Sequence, residues 1–245
     1  MISVKGKQFS VGAFTFARGG SKGITKKNLA LLDGKPLIEY SIVAAQNNNY
    51  IDEVYVSTDD TGIANIASEL GACVPFLRPK ELSKDDTPEF LAWQHALKFL
   101  KDKDELPNIF ISLPATAPLR SNKDISKSIE TLINSDADIS ISVAKSDRNP
   151  YFNMVTIDQN GYAKIVINPS KPITRRQDAP SVYDISTVAY SSWPDYILNN
   201  TTVFDGKVIT VEVPKERALD IDTPLDLMLA EFLLQKRKSV AEVKF

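Results

Sequence analysis

The stretch FSVGAFTFARGGSKGITKKN, residues 9–28, joins an apolar run to a loop rich in glycine and positive charge. Residues 9–16 have the near-continuous apolar character of a buried strand. Open α/β sheets bind ligands at the carboxyl ends of their strands, where such a loop would lie. We therefore expect a sheet whose first long strand ends in an anion-binding loop. The cations of this loop are Arg18, Lys22, Lys26 and Lys27.

The same alternation continues along the chain, because short β-branched or apolar runs are followed by longer stretches of helical period. Repeated units of this kind predict an α/β fold with a doubly wound, mostly parallel sheet. Strands are expected at 9–16, 53–58, 73–77, 108–113, 138–145 and 207–214, and helices at 36–48, 59–71, 87–101, 121–135 and 223–238.

The alternation of strand-like and helix-like segments breaks between residues 147 and 205. Two short strand-like runs meet at Asn160-Gly161, a typical hairpin turn, and a polar, proline-bearing stretch and another strand-like run follow. We predict a single domain over residues 1–245, with 147–205 as a small β-rich excursion from the sheet. No internal repeat or long linker interrupts it.

Composition narrows the possible partners and the compartment. The chain has 245 residues and a net charge of −2, so its surface has no general attraction for nucleic acid or anionic membranes. It lacks a signal-peptide-like apolar leader and any run near the roughly 18 apolar residues of a membrane span. We expect a cytoplasmic protein. The single cysteine, Cys73, and the single histidine, His95, are predicted to be packing residues.

The basic loop, defined here as residues 17–28, has the chemistry of a triphosphate site. Glycines allow backbone N–H groups to turn inward as a nest for anions, and the cations add charge. The loop has neither the G-x-G-x-x-G dinucleotide pattern nor the Walker A pattern. A flexible, solvated basic loop is the alternative.

The segment ALDIDTPLD places Asp220 and Asp222 two residues apart, on one side of an extended chain. Two such carboxylates suit Mg²⁺, which also takes substrate phosphates as ligands. The alternative is a helix start, with Asp222 or Thr223 as cap, Pro224 in the first turn and Asp226 near the positive end of the helix dipole. Beside the basic loop, a pairing of Mg²⁺ with a triphosphate is the better explanation.

Several segments resemble the acylneuraminate cytidylyltransferases, the CMP-sialic acid synthetase family, in the same order along nearly the whole chain. They are ARGGSKGITKKNL, GKPLIEYSI, VYVSTDDTGIANIASELGACVPFLRP, LPATAPLR and ERALDIDTPLD. The resemblance implies a nucleotide-diphospho-sugar-transferase-like fold and a homodimer. It also implies a Mg²⁺-dependent reaction in which CTP and a 3-deoxy-ulosonic acid give a CMP-sugar and pyrophosphate.

The resemblance also implies roles for individual residues. Arg18 and Lys22 would act in catalysis by stabilising the leaving pyrophosphate, and Asp222 by receiving a proton. Residues 148–205 would pair the subunits. Nucleotide binding is implied for Ala17, Arg18, Gly19, Gly20, Ser21, Lys22, Lys27, Asn28 and Arg78, sugar binding for Thr116, Arg176, Gln177 and Tyr190, and metal binding for Asp220 and Asp222.

The chain departs from the family pattern on the sugar side. Where the family often has L-Q-P-T-S-P-L-R, Pro114 and Ala117 remove an amide and a hydroxyl, and Asp184 stands in a further altered segment. We expect an acceptor whose substituents differ from those of common sialic acid. A 3-deoxy-manno-octulosonate-type cytidylyltransferase and a non-catalytic nucleotide-binding homologue are the alternatives. Candidates for binding the sugar carboxylate are Arg120, Arg148 and Arg175.

Overall fold

The computed structural model describes residues 2–4, 6–169, 171 and 173–242. The strands are β1 (Ile2–Val4), β2 (Lys7–Phe9), β3 (Val11–Phe16), β4 (Leu31–Leu32), β5 (Lys35–Pro36), β6 (Glu53–Ser57), β7 (Ile109–Ser112), β8 (Ile139–Lys145), β9 (Val155–Ile157), β10 (Ala163–Ile165), β11 (Tyr183–Ser192) and β12 (Val208–Glu212). The helices are α1 (Leu37–Gln46), α2 (Thr61–Glu69), α3 (Glu89–Lys101), α4 (Asn122–Ile133), α5 (Pro194–Asn199) and α6 (Pro224–Glu242).

A six-stranded sheet with the order β12-β8-β11-β7-β3-β6 forms the centre of the protein. Strands β6, β3 and β7 are parallel to one another, and β8 is parallel to β12. Only β11 runs antiparallel to its neighbours, β7 and β8. The predicted α/β class with a mostly parallel sheet is confirmed.

Helices cover both faces of the sheet because its strands are apolar on both sides. One face packs against α1, α2 and α4 through residues such as Ile42, Ile63 and Ile129. The other face packs against α3 and α5, where Phe14 and Phe110 stack with ring centroids 4.8 Å apart. None of the helices among the described residues combines the length and apolar character needed to cross a membrane.

Helix α4 begins where the sequence predicts. The Ser121 side chain accepts a hydrogen bond from the Asp124 N–H, and the Asp124 carboxylate accepts one from the Ser121 N–H at 2.9 Å. This reciprocal pair satisfies two N–H groups that a helix start leaves free. Arg217 holds the same carboxylate at 2.8 Å, which ties α4 to the chain that enters the Asp220 region.

Two predicted elements were wrong. Residues 73–77 are not a strand, since only isolated bridges join Cys73 to Tyr55 and Leu77 to Thr58. The predicted excursion, residues 147–205, is too long, because β11 lies inside the central sheet and α5 packs against α3. The serines and threonine of β11 give no sign of a strand in the centre of a sheet, although Ser191 and Ser192 are fully buried.

The segment outside the sheet carries the expected hairpin. Strands β9 and β10 pair antiparallel, and Gly161 in their turn has a φ of 87°, which glycine adopts without strain. Its apolar side chains are turned to solvent in this chain. They include Met154, Val155, Ile157, Tyr162, Val166 and Ile167.

The two packing predictions are confirmed in outline. His95 is half-buried on α3 and meets the Phe76 ring edge-on, with ring centroids 4.6 Å apart. Burial lowers the pKa of His95, and the charges of Arg78 and Lys98 act in the same direction, so the neutral ring is favoured. Cys73 is half-buried, and burial raises the pKa of its thiol.

Arg120 is buried and joins three parts of the chain. Its Nε donates to the Val188 carbonyl at 2.9 Å, Nη1 donates to Ser41 Oγ at 2.6 Å, and Nη2 donates to the carbonyls of Pro114 and Thr187. Burial lowers the pKa of Arg120 to about 9. Of the three candidates for the sugar carboxylate, Arg120 is disfavoured, because its Nε, Nη1 and Nη2 already donate to groups inside the protein.

We expect Arg120→Lys to lower the free energy of unfolding by about 2–4 kcal/mol, because one ammonium cannot serve carbonyls in several directions. Urea denaturation measures the change. Arg175→Lys is the matched control, since Arg175 is exposed and its one ion pair among the described residues is with Asp178. Equal stability of the two variants would contradict this role of Arg120.

Candidate active site

A cleft of about 580 Å³ opens beyond the carboxyl end of β3. The basic loop forms one side, and the chain from Arg78 to Ala92 forms another. Six of the nine predicted nucleotide residues line this cleft, whereas Ala17, Gly19 and Gly20 do not. The cleft is lined by Phe16, Arg18, Ser21, Lys22, Gly23, Lys27, Asn28, Arg78, Leu82, Lys84, Asp85, Thr87, Glu89, Ala92, Thr116, Asp222 and Thr223.

Hydrogen bonds to the protein fix the start of the basic loop. The N–H of Ala17 donates to the Ser57 carbonyl at 3.0 Å, and the N–H of Gly19 donates to Asp59 Oδ1 at 3.0 Å. Asn28 Nδ2 donates to the Arg18 carbonyl at 2.9 Å. The amides of Ala17 and Gly19 thus support the loop and are not free for an anion. Gly20 is exposed.

The basic loop packs directly on the segment that carries the aspartate pair. A Cβ atom added to Gly23 would lie 2.1 Å from the Asp222 carbonyl oxygen, so only glycine allows this approach. Lys27 Nζ meets Asp222 Oδ1 at 2.7 Å. The two motifs that the sequence separates by nearly the whole chain form one unit.

Two cations of the basic loop, Arg18 and Lys22, form ion pairs with a carboxylate that the sequence analysis does not predict to be in the site. Asp85 pairs with Arg18, and its Oδ2 lies 2.9 Å from Lys22 Nζ. Hydrogen bonds from Lys22 and then Arg18 hold the pKa of Asp85 below its usual value. Asp85 is therefore ionised at neutral pH and neutralises the charge that a polyphosphate would meet.

Arg78 is a fixed cation on the opposite side of the cleft. Its side chain is buried, its Nε donates to Ser83 Oγ at 3.0 Å, and its Nη2 lies 3.9 Å from Asp59 Oδ1. Burial lowers the pKa of Arg78, with the Asp59 charge acting against that change. Because Asp59 also accepts from Gly19, it holds both sides of the cleft.

The aspartate pair has two different environments. Asp220 is half-buried, accepts a hydrogen bond from Thr187 Oγ1 at 3.1 Å and is also hydrogen-bonded by the Thr116 side chain. Burial raises the pKa of Asp220, and the charge of Asp222 adds to the rise. Asp222 is exposed to the cleft. The buried Ile221 between them donates its N–H to the Thr116 carbonyl at 2.8 Å, which fixes the segment.

The hydrogen bonds at the start of α6 show which of the two candidates, Asp222 or Thr223, caps the helix. The Thr223 N–H donates to Asp226 Oδ2 at 2.7 Å, and the Asp226 N–H donates to Thr223 Oγ1 at 3.3 Å. Thr223 and Asp226 therefore form the capping pair. The Asp222 carboxylate is not needed for capping and turns to Lys27 instead.

The donor set fits Mg²⁺ only in company with a substrate. Among the described residues, no group of three or more His, Cys, Asp or Glu side chains could hold a metal ion. Mg²⁺ is commonly held by one or two carboxylates, with waters and substrate phosphates completing its shell. Asp220 and Asp222 match that pattern.

The predicted sugar residues are not gathered at one place. Thr116 lines the cleft, and Tyr190 is half-buried against Trp93, with ring centroids 5.7 Å apart. Burial raises the pKa of Tyr190, as do the nearby charges of Glu89 and Asp220. Arg176 and Gln177 instead line a separate cavity of about 480 Å³ beside Arg148 and Lys215.

Sequence reasoning missed Asp85, Glu89 and Thr187. Glu89 opens on the cleft from the first turn of α3, where an acidic residue is ordinary and gives no signal of a site. Loss of hydration raises the pKa of Glu89, against a hydrogen bond from Trp93 and the charge of Arg78. Asp85 and Thr187 lie in polar segments that resemble surface chain.

The fold and this cleft define a nucleotide-binding α/β protein of the nucleotidyltransferase class. A family model described as cytidylyltransferase matches residues 15–245, and the chain belongs to that family. The fold is shared with a solved structure of CMP:2-keto-3-deoxy-manno-octonic acid synthetase complexed with CTP. The TM-score is 0.71 at 16% sequence identity, over 93% of this chain and 99% of that one.

Curated relatives match nearly end to end. The chain is 37% identical to a CMP-N,N'-diacetyllegionaminic acid synthase of Campylobacter jejuni, over 89% of this chain and 92% of the relative. It is 34% identical to post-translational flagellin modification protein B of Campylobacter coli, over 92% of this chain and 95% of the relative.

Asp85→Asn should tighten nucleotide binding about two- to tenfold, because the triphosphate no longer competes with Asp85 for Arg18 and Lys22. Calorimetric titration with CTP measures this effect. Asp86→Asn, at the exposed neighbouring carboxylate, is the control and should bind CTP as the unchanged protein does. Weaker binding by the Asp85 variant would show that Asp85 contributes to the nucleotide site instead.

Proposed function

We propose that this protein joins CTP to a 3-deoxy-ulosonic acid, giving the CMP-sugar and pyrophosphate. The observation that carries the proposal is the contact of the basic loop with Asp222, through Gly23 and the Lys27–Asp222 ion pair, in the cleft of a cytidylyltransferase-family chain. The legionaminic acid synthase among its relatives supports an acceptor of the nine-carbon type. We propose the cytoplasm as the compartment, because CTP is available there.

In the proposed reaction, the anomeric hydroxyl of the acceptor attacks the α-phosphorus of CTP. A new O–P bond forms, the bond between the α-phosphorus and the bridging oxygen breaks, and pyrophosphate leaves. Arg18 and Lys22 exchange Asp85 for the phosphates and neutralise the charge that builds on the leaving group. Asp222, exposed at the cleft, accepts the hydroxyl proton. The chain contributes chiefly by positioning and charge.

Asp220 and Asp222 would hold Mg²⁺ in this reaction. When bound, the ion would neutralise phosphate charge and ease deprotonation of the attacking hydroxyl. Thr116 and Thr187 orient the Asp220 carboxylate, and Lys27 orients that of Asp222. The two carboxylates therefore have different roles. That of Asp220 is enclosed by the protein, and that of Asp222 is open to the acceptor.

The function is tested by pyrophosphate release with CTP, Mg²⁺ and a panel of ulosonic acids. We expect turnover with a nine-carbon acceptor. Turnover confined to 3-deoxy-manno-octulosonate would replace the proposed acceptor with an eight-carbon one. CTP binding without turnover on any member of the panel would favour a non-catalytic nucleotide-binding homologue, which the altered Pro114 and Ala117 positions suggest.

Asp220→Asn and Asp222→Asn should each abolish metal-dependent turnover in a protein that stays folded, because an amide is a weaker ligand for a hard cation. Excess Mg²⁺ should partly restore the Asp220 variant but not the Asp222 variant, which also lacks the proton acceptor. Turnover across a Mg²⁺ titration and a thermal melt measure both. Asp226→Asn is the control, since Asp226 caps α6. Near-normal turnover in both site variants would remove the metal site.

We propose that the protein is a homodimer and that the segment around β9 and β10 contributes to the interface. Val155, Ile157 and Tyr162 are largely exposed there, at 52%, 69% and 71%. Arg176 and Gln177 lie on the same excursion, outside the cleft of their own chain. An interface that carries them to the partner's cleft would complete the sugar side.

Light scattering at micromolar concentration should give a mass near twice the 27.1 kDa chain. Ile157→Glu should shift the mass towards the monomer, because a charge would be buried in the interface. Lys127→Glu, at an exposed site on α4, serves as the control. A monomer mass for the unchanged protein would end the proposal.

A further inference from the structure

A second cavity, of about 240 Å³, lies beside the last residues of β8 and is called here the Asp220 cavity. Strand β11 is antiparallel to both β7 and β8, and β7 is parallel to β3, so β3 and β8 end at the same edge of the sheet. The cavity and the cleft are therefore neighbours along this edge. Asp222 lines the cleft, and Asp220 lines the cavity.

This position suits the acceptor of the proposed reaction. Phosphates bound by the basic loop would fill the cleft on the Asp222 side of the aspartate segment. Thr116 lines the cleft and is hydrogen-bonded to Asp220, so a group in the Asp220 cavity is separated from the nucleotide by this one carboxylate. An acceptor whose hydroxyl attacks at the aspartate pair would therefore extend substituents into the cavity.

The Asp220 cavity contains a carboxylate that no cation neutralises. Asp184, near the start of β11, is exposed and forms no ion pair with any described residue. Of the two lysines that line the cavity, Lys215 pairs with Asp147. Lys145 and Asp184 hold adjacent positions of the β8–β11 ladder, from which side chains point to opposite faces of a sheet. A ligand is thus the remaining source of a positive charge for Asp184.

A buried hydroxyl lines the same cavity. Ser186 follows Asp184 by two residues and therefore lies on the same face of β11. Ser186 is only 4% exposed, and its Oγ has no hydrogen-bond partner among the described residues. Buried hydroxyls without a partner are uncommon in folded proteins, and a bound ligand is one way to satisfy them. Asp184 and Ser186 together offer oxygen acceptors to a ligand that carries N–H groups.

A carboxylate binds most strongly to a group that has both N–H donors and a positive charge. We propose that the Asp220 cavity binds a nitrogen substituent of the acceptor and that Asp184 makes the protein prefer a positively charged group there, such as an amidine, over a neutral amide. In the proposed reaction Mg²⁺ would offset the charge of Asp220, which leaves Asp184 as the carboxylate that selects the substituent. The inference rests on the proposed function, in which the acceptor is a ulosonic acid.

Acceptors that differ at one substituent test this inference. The reference is N,N'-diacetyllegionaminic acid, which carries two neutral amides, and in the test acids each amide in turn is replaced by an acetamidine of nearly the same size. Values of kcat/KM are measured at saturating CTP and Mg²⁺. The unchanged protein should prefer the amidine at one of the two positions. Asp184→Asn should reduce that preference about tenfold, mainly through the acceptor KM.

Asp195→Asn, at an exposed site beyond the other end of β11, is the matched control and should leave the preference unchanged. Thermal melts check that both variants are folded, and the preference of the unchanged protein tests the inference without any variant.

The outcomes separate this inference from the function on which it rests. Turnover without a preference for either amidine, or with a preference that Asp184→Asn leaves intact, would overturn the inference while the proposed function stands. A preference for the amide that Asp184→Asn weakens would show that Asp184 accepts a neutral N–H, and the selection of charge would be wrong. Absence of turnover with every acid would overturn the proposed function and this inference with it.

Discussion

The active cleft depends on one close approach, the packing of Gly23 against the backbone carbonyl of Asp222. No side chain fits between them, so the basic loop and the aspartate segment are held in contact. Lys27 then reaches Asp222, and the hydrogen bond from Ile221 to Thr116 extends the fixed unit to the next loop of the sheet. The cations of the basic loop and the carboxylates of the aspartate segment share one charge system as a result. When no substrate is present, the cations reduce the repulsion among the carboxylates, and the carboxylates reduce the repulsion among the cations.

The sequence predicts this cleft better than it predicts what surrounds it. The basic loop and the aspartate pair are local patterns, and strand ends bring them together in any parallel sheet of this kind. The segment of β11 is expected as a strand, but its place inside the central sheet could not be recognised, because its polar residues are buried by neighbouring strands that no local pattern reveals. Glu89 and Asp85 escaped notice for a similar reason. Each is an ordinary acidic residue in the sequence, and only the fold brings both to the cleft.

The loop that contains Pro114, where the chain departs from the family pattern, is organised around the buried cation Arg120. Pro114 has no N–H, but its carbonyl accepts hydrogen bonds from Ser41 and from Arg120. Arg120 also holds the carbonyls of Thr187 and Val188, in the irregular part of β11. Thr116 and Thr187, which contact Asp220, are therefore positioned from behind by the same guanidinium.

The antiparallel strand has a consequence for how the molecule folds. Strand β11 lies between β7 and β8, so the parallel ladders on its two sides are not joined until it pairs. Its residues are synthesised after the hairpin of β9 and β10, and Asp222 later still. Contacts between distant parts of a chain form slowly because loop closure costs entropy. During synthesis, the β6-β3-β7 ladder keeps an open edge until β11 emerges, β12 joins β8 later, and the cleft is complete only once Asp222 has been made. Nucleotide binding can therefore stabilise only a chain that is almost finished.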